Sequence, residues 1–135
     1  MEIEQLVALH IKHWLPEDVQ LHFLPDTFLL SAWNAPQRRI VIGTFGAQEE
    51  VLAAAWHELG HVHLHHTTRN ELTTPHQKRR EEWAAWKWAW DNAPRALRPT
   101  IATLLRGKTC VQAYGVQAST VERRLVEWGA KEVMG

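Results

Sequence analysis

Residues 56–66 read Trp-His-Glu-Leu-Gly-His-Val-His-Leu-His-His, and within them His57, Glu58 and His61 stand as H-E-x-x-H. On an α-helix, positions four apart differ by about 40° around the axis and about 6 Å along it. Two imidazoles so spaced can grip one ion from the same face. The glutamate between them then points into the space where an activated water would sit. That is the minimal equipment of zinc-dependent peptide hydrolysis. Because the chain contains 9 His, the match needs support from its surroundings. The run from Glu49 to His66 has no proline, and its only glycine is Gly60, inside the motif. Leu52, Trp56, Leu59 and His63 follow helical spacing on one side. His57 and His61 lie on another arc, so this helix is expected to be covered on two sides.

A catalytic zinc takes three protein ligands and leaves a fourth position open. His65 continues the i, i+4 series, but it lies about 12 Å from His57 along a straight helix, against zinc–nitrogen bonds of about 2 Å. His63 and His66 project elsewhere on the wheel and read as the polar end of the helix, where imidazoles suit the helix dipole. The sequence does not choose among His63, His65 and His66 as an assisting group. A better ligand lies downstream, where Thr74 and Pro75 open a second helical run containing Lys78 to Trp90. Glu82 shares a face with Ala85 and Ala89. Small residues there allow close approach to the helix carrying Gly60, bringing a carboxylate within reach of the ion. Glu81 reads instead as part of a solvated charge run at the helix start.

With these residues in place, the chain resembles the ImmA/IrrE family of zinc metallopeptidases. Members carry H-E-x-G-H followed by a helix beginning close to E-W-E-A-N-R-F-A, and here the second stretch reads Glu82-Trp83-Ala84-Ala85-Trp86-Lys87-Trp88-Ala89. The resemblance places the metal ligands on His57, His61 and Glu82 and the catalytic glutamate on Glu58. It continues into Val111 to Leu125, similar to the helix-turn-helix-like segment that follows the peptidase core, and so covers roughly residues 30–128. Trp86 stands where the family has asparagine, which removes any outer-shell role of that amide. Asp91-Asn92-Ala93-Pro94 replaces an aliphatic-methionine-proline helix end. The resemblance also implies the substrate class: helix-turn-helix repressors of bacteria and their phages.

The elements that would position this site are short. Residues 2–15 suit a helix ended by Pro16, with Ile3, Leu6, Val7, Leu9 or His10, and Trp14 on one side. Three strands are expected at Val19–Leu24, Phe28–Trp33 and Arg38–Ile42, with a hairpin-type turn at Asn34-Ala35-Pro36-Gln37. They are read as an antiparallel meander beside the motif helix, whose edge can take an extended peptide by strand addition. The C-terminal third is helical and breaks at Pro94, Pro99, Gly107, Gly115 and Gly129. Thr109 to Trp128 has the shape of a helix-turn-helix. The expected fold is therefore α+β: a zincin-like core over 1–95 and a small helical, helix-turn-helix-like segment over 96–135 packed on it.

Composition narrows the alternatives. The 135 residues suit one compact domain with a small appendage. Eight Trp residues promise large burial per side chain. With 15 basic and 15 acidic residues the formal net charge is zero, so no global field draws in nucleic acid or an anionic membrane. Cys110 is the single cysteine and reads as a packed residue, since it has no intramolecular partner. Glu2 and Glu4 spoil a basic signal-peptide start, and no apolar run approaches about 18 residues, which makes the cytoplasm the expected location.

The reading that results is a zinc-dependent endopeptidase acting on a protein substrate, with Glu58 taking a proton from water and returning it to the leaving amine. Tyr114 has no evident link to the site. The alternatives are a DNA-binding regulator, using Ser119, Thr120, Arg123 and Arg124 within 109–128, or a repressor-binding module, each with a non-catalytic metal site. Glu122 and Glu127 beside Arg123 and Arg124 weaken the phosphate footprint that DNA binding requires.

Overall fold

Ile40, Val41 and Ile42 form the most apolar β-branched run among the three expected strands, and they take the middle of the sheet. A computed structural model describes residues 2–28, 30–66, 74–107 and 116–129. Strands β1 (Gln20–Leu24), β2 (Ser31–Asn34) and β3 (Arg39–Gly43) are ordered β1-β3-β2. β1 runs parallel to β3, pairing Gln20 with Arg39 through Leu24 with Gly43. β2 runs antiparallel to β3, pairing Ser31 with Ile42 and Asn34 with Arg39. The sheet is thus mixed, and the expectation of an antiparallel meander is corrected.

Two physical reasons account for the change. The central strand pairs on both edges and buries Ile40 and Ile42 completely on one face, which suits this apolar β-branched run better than the more polar β1 and β2. The β1–β2 connection also does not turn back as a hairpin. It passes across the end of β3, where Thr44 N–H donates to Leu24 O (3.1 Å) and Phe45 N–H to Thr27 O (3.1 Å). A Cβ on Gly43 would stand 2.6 Å from Thr27 O, so only glycine admits this crossing. The β2–β3 turn is as expected: Asn34 Oδ1 accepts from the Gln37 N–H (3.1 Å), and Arg38 takes a positive φ of 51°.

Helix α1 (Ile3–Ile11) stops four residues short of the expected end. Trp14 and Leu15 both donate to Ile11 O in a closing turn, because the residue before Pro16 is pushed out of helical conformation. Val7 and Ile11 are its fully buried residues, while Leu9, expected near the packed side, is 56% exposed.

Helix α2 (Gln48–His63) carries the motif and is buried all round from Ala55 to Val62. α1, β2 and β3 cover one side, and α3 (Pro75–Asn92) and α4 (Arg98–Arg106) cover the other. α3 begins with a capping box, in which the Thr74 hydroxyl accepts from the Gln77 N–H (3.1 Å) and the Gln77 side chain accepts from the Thr74 N–H (3.0 Å). α2 and α3 touch backbone to backbone at Gly60, where a Cβ would lie 2.6 Å from Ala85 O. α5 (Ala118–Glu127) closes on α4 through buried Val121 and Leu125 and the Arg106–Glu122 pair at 2.7 Å. The indole N–H of Trp90 donates to Trp128 O (3.2 Å), tying this C-terminal part to α3. Pro99 falls in the first turn of α4, where it is tolerated, rather than breaking a helix. The expected first helix of the helix-turn-helix pair, with Cys110, Tyr114 and Gly115, lies outside the described residues. Among the described residues the architecture is α+β, with five α-helices, one 3-10 turn (Arg95–Leu97) and a three-stranded mixed sheet. No described helix is long and apolar enough to cross a membrane.

The end of α2 has a specific geometry. Leu64 is the C-cap, and His65 follows in the left-handed region at φ 58°. His65 N–H donates to Val62 O (3.1 Å) and His66 N–H to His61 O (2.9 Å), the two bonds of a Schellman motif. Glycine normally occupies the His65 position. A left-handed non-glycine residue costs about 1–2 kcal/mol, against about 0.5–1 kcal/mol for the extra chain entropy of glycine. His65→Gly is therefore expected to raise unfolding stability by up to about 1 kcal/mol, read from denaturant melts. A loss of stability would show that the His65 side chain contributes more than its backbone costs.

Candidate metal centre

The backbone contact at Gly60 decides where the Glu82 side chain falls. With α3 pressed against α2, Glu82 reaches both motif histidines: its Oε2 lies 3.0 Å from His57 Nε2 and its Oε1 3.0 Å from His61 Nε2. One ligand atom from each of His57, His61 and Glu82 falls within 4.8 Å of the others, so this group could hold a metal ion. The structure brings together the three residues that the sequence nominated. His63 and His65 stand outside the group, and so does Glu81.

The fit to a cation rests on more than proximity. His57 Nε2 is buried and 3.0 Å from the Glu82 oxygen, yet it lacks the alignment of a hydrogen bond and has no other partner. A buried nitrogen of this kind is costly unless something satisfies it, and a cation between the imidazole lone pair and the carboxylate does so. The donor set of two imidazoles and one carboxylate is one that zinc accepts.

Glu58 is nearly fully buried at 3% exposure. Its Oε2 accepts a hydrogen bond from Ser31 Oγ at 2.8 Å and lies 3.0 Å from His57 Nδ1. Burial alone would raise its carboxyl, but the charge of His57 beside it prevails and holds it below the ordinary range. Glu58 is therefore an ionised acceptor at neutral pH. Burial would likewise raise Glu82, and His57 and then His61 hold it well below 4.5. Burial would depress His57, but the facing carboxylates of Glu58 and Glu82 outweigh it and push it from 6.5 up to about 10. His57 is therefore the protonated partner of the two carboxylates when no metal is bound.

The sign of the pH dependence follows. The raised His57 contributes stability that is complete below pH 6.5 and is lost as pH rises through about 10. The depressed Glu82 contributes stability present above pH 4.5 and lost as pH falls. Chelator-treated protein should therefore show its site contribution in full between 4.5 and 6.5 and lose it on the alkaline side. In thermal melts across pH, Glu82→Gln should flatten that alkaline arm. An arm of equal slope in the variant would contradict the pairing. Metal must displace the His57 proton, so metal affinity should climb with pH over the same alkaline range.

Three further residues stand beside the site. Trp86 lies face to face with His57 at 4.1 Å between ring centroids and 8° between planes. Its indole nitrogen is buried without a partner. Ser31 reaches Glu58 from the start of β2, and no sequence signal marks it. His66, read from the sequence as part of the polar helix end and as one of three histidines that could assist, is half-buried with Nδ1 2.8 Å from His61 Nδ1. Burial, and then the charge of His61, hold it down at about 4, so it is neutral near pH 7. The signal was its place just past the helix end, where the chain folds back. His63 is engaged away from the site, with Nε2 2.6 Å from Trp14 O and its ring stacked on Trp88.

The surface nominated for DNA is partly used inside the fold. Arg124 lies over the Trp83 ring at 4.9 Å, and Glu122 pairs with Arg106, leaving Ser119 and Arg123 among the exposed residues of α5. Comparison of the chain with protein-family models, with curated proteins and with solved structures finds no match.

Proposed function

We propose that this chain is a zinc-dependent endopeptidase of the kind its motif resembles, with a zincin-like core and a protein substrate. The observation that carries the reading is the convergence of His57 Nε2, His61 Nε2 and the Glu82 carboxylate, with the ionised Glu58 next to them. Zinc held there supplies a Lewis acid that activates water at neutral pH and polarises a carbonyl. Glu58 accepts the proton of the attacking water and passes it to the leaving amine. Ser31 fixes the Glu58 carboxylate by its hydrogen bond, and Trp86 covers one face of the His57 ring.

β2 is an edge of the sheet and begins at Ser31, the residue bonded to Glu58. An extended segment pairing with β2 would run its backbone past the base. That favours a substrate that can present a flexible or unfolded stretch. The resemblance points to a helix-turn-helix repressor. The test is incubation of zinc-loaded protein with candidate repressors, with Glu58→Gln as control, reading fragments by mass spectrometry. Fragments absent from the control support the reading, and stable association without fragments favours a binding module.

Ser31→Ala removes the donor that orients Glu58. It is expected to lower kcat by about tenfold, the scale of one hydrogen bond to a charged group, with zinc affinity unchanged. An unaltered kcat would remove Ser31 from the mechanism.

A further inference from the structure

The Schellman closure of α2 brings together the side chains at its C3 and C″ positions, a pair that is commonly apolar. Here they are His61 and His66. Their rings are 5.0 Å apart at 60°, and their Nδ1 atoms are 2.8 Å apart. Two imidazole nitrogens at that distance share one proton, so one must donate and the other accept.

The direction is set by the other side of His61. Its Nε2 faces Glu82, so ligation through Nε2 leaves the ring proton on Nδ1. His61 Nδ1–H therefore donates, His66 Nδ1 accepts, and His66 carries its own proton on Nε2. His66 is held in place by more than the ring contact. Its backbone N–H donates to His61 O in the Schellman motif, and its carbonyl accepts from the Trp33 indole N–H at 2.9 Å. Trp33 belongs to β2, so the ring that faces His61 is anchored both to the helix end and to the sheet edge.

We propose that His66 is a positioning residue that selects the tautomer and ring orientation of His61, performing through an imidazole the role usually given to a carboxylate or backbone carbonyl behind a metal-ligating histidine. The inference rests on the metal-binding reading of His57, His61 and Glu82. Through Trp33, it also connects the metal ligand to the strand whose first residue holds Glu58. One strand then orients both a ligand and the base, by Trp33 through His66 and by Ser31 directly.

The first test is long-range proton–nitrogen NMR of histidine-labelled, zinc-loaded wild-type protein at pH 8. The expected result is a proton on Nδ1 of His61 and on Nε2 of His66. A His66 protonated on Nδ1, or a zinc-loaded His61 without a proton on Nδ1, overturns the proposal. The second test is zinc affinity by chelator competition. His66→Leu restores the usual apolar closure and should keep the helical fold, but it should weaken zinc binding by about 10–100-fold. His66→Gln, which retains an acceptor, should recover much of the loss. Wild-type affinity in His66→Leu overturns the proposal, and so does equal weakening in both variants. The tautomer measurement uses unmodified protein, so it decides even where a variant fails to fold. Neither readout involves peptide cleavage: a protein that binds zinc in this manner but cuts nothing refutes the peptidase reading and leaves the role of His66 standing. A wild-type chain that binds no zinc overturns both.

Discussion

Glu58→Gln is expected to fold, to bind one equivalent of zinc, and to lose about 10²–10⁴-fold in peptide hydrolysis, the usual contribution of a positioned general base. The substitution is nearly isosteric, and the glutamine oxygen can still accept from Ser31 Oγ, which now meets Glu58 at 2.8 Å. What is lost is the negative charge that takes a proton from water. The same change removes one of the two carboxylates that raise His57. Zinc then competes with a weaker proton, so its affinity should hold or increase. The two readouts move apart: activity falls while metal binding does not. A variant that kept its activity would take Glu58 out of the mechanism. One that lost zinc would make Glu58 a ligand instead of a base.

Glu82→Ala should have the opposite signature. It removes the carboxylate whose two oxygens lie 3.0 Å from the two histidine Nε2 atoms. Zinc affinity should fall by more than the 10–100-fold typical of outer-shell changes, and activity should follow the metal. Glu81→Ala, one residue away and outside the group, should leave both unchanged. Loss of zinc in Glu81→Ala with retention in Glu82→Ala would reverse the assignment. The metal-free fold should survive Glu82→Ala, because His57 can shed its proton once that carboxylate is gone.

The legible part of this chain was its candidate ligand group and most of its described helices. His57, Glu58 and His61 follow from helical spacing alone, and Gly60 with Ala85 and Ala89 announced a close helix approach that the structure shows at Ala85. Thr74 and Pro75 marked the start of α3 correctly. The sheet order was not legible. Local pattern and composition point to three short strands but not to their neighbours, and the approach of Thr27 and Leu30 to Gly43 is a tertiary event with no local signature. Ser31 escaped notice for the same reason, since its partner Glu58 is 27 residues away. His66 could not be singled out from His63 and His65, because a straight helical wheel was extended past His63, where the chain turns into the left-handed region at His65.

If two imidazoles and one carboxylate bind a single zinc ion, a crystal of the zinc-loaded protein measured at the zinc absorption edge will show it. One anomalous peak is expected, within about 2.0–2.2 Å of His57 Nε2, His61 Nε2 and a Glu82 oxygen, with Glu58 outside the coordination sphere. A peak elsewhere, or no peak between these three side chains at saturating zinc, would contradict it.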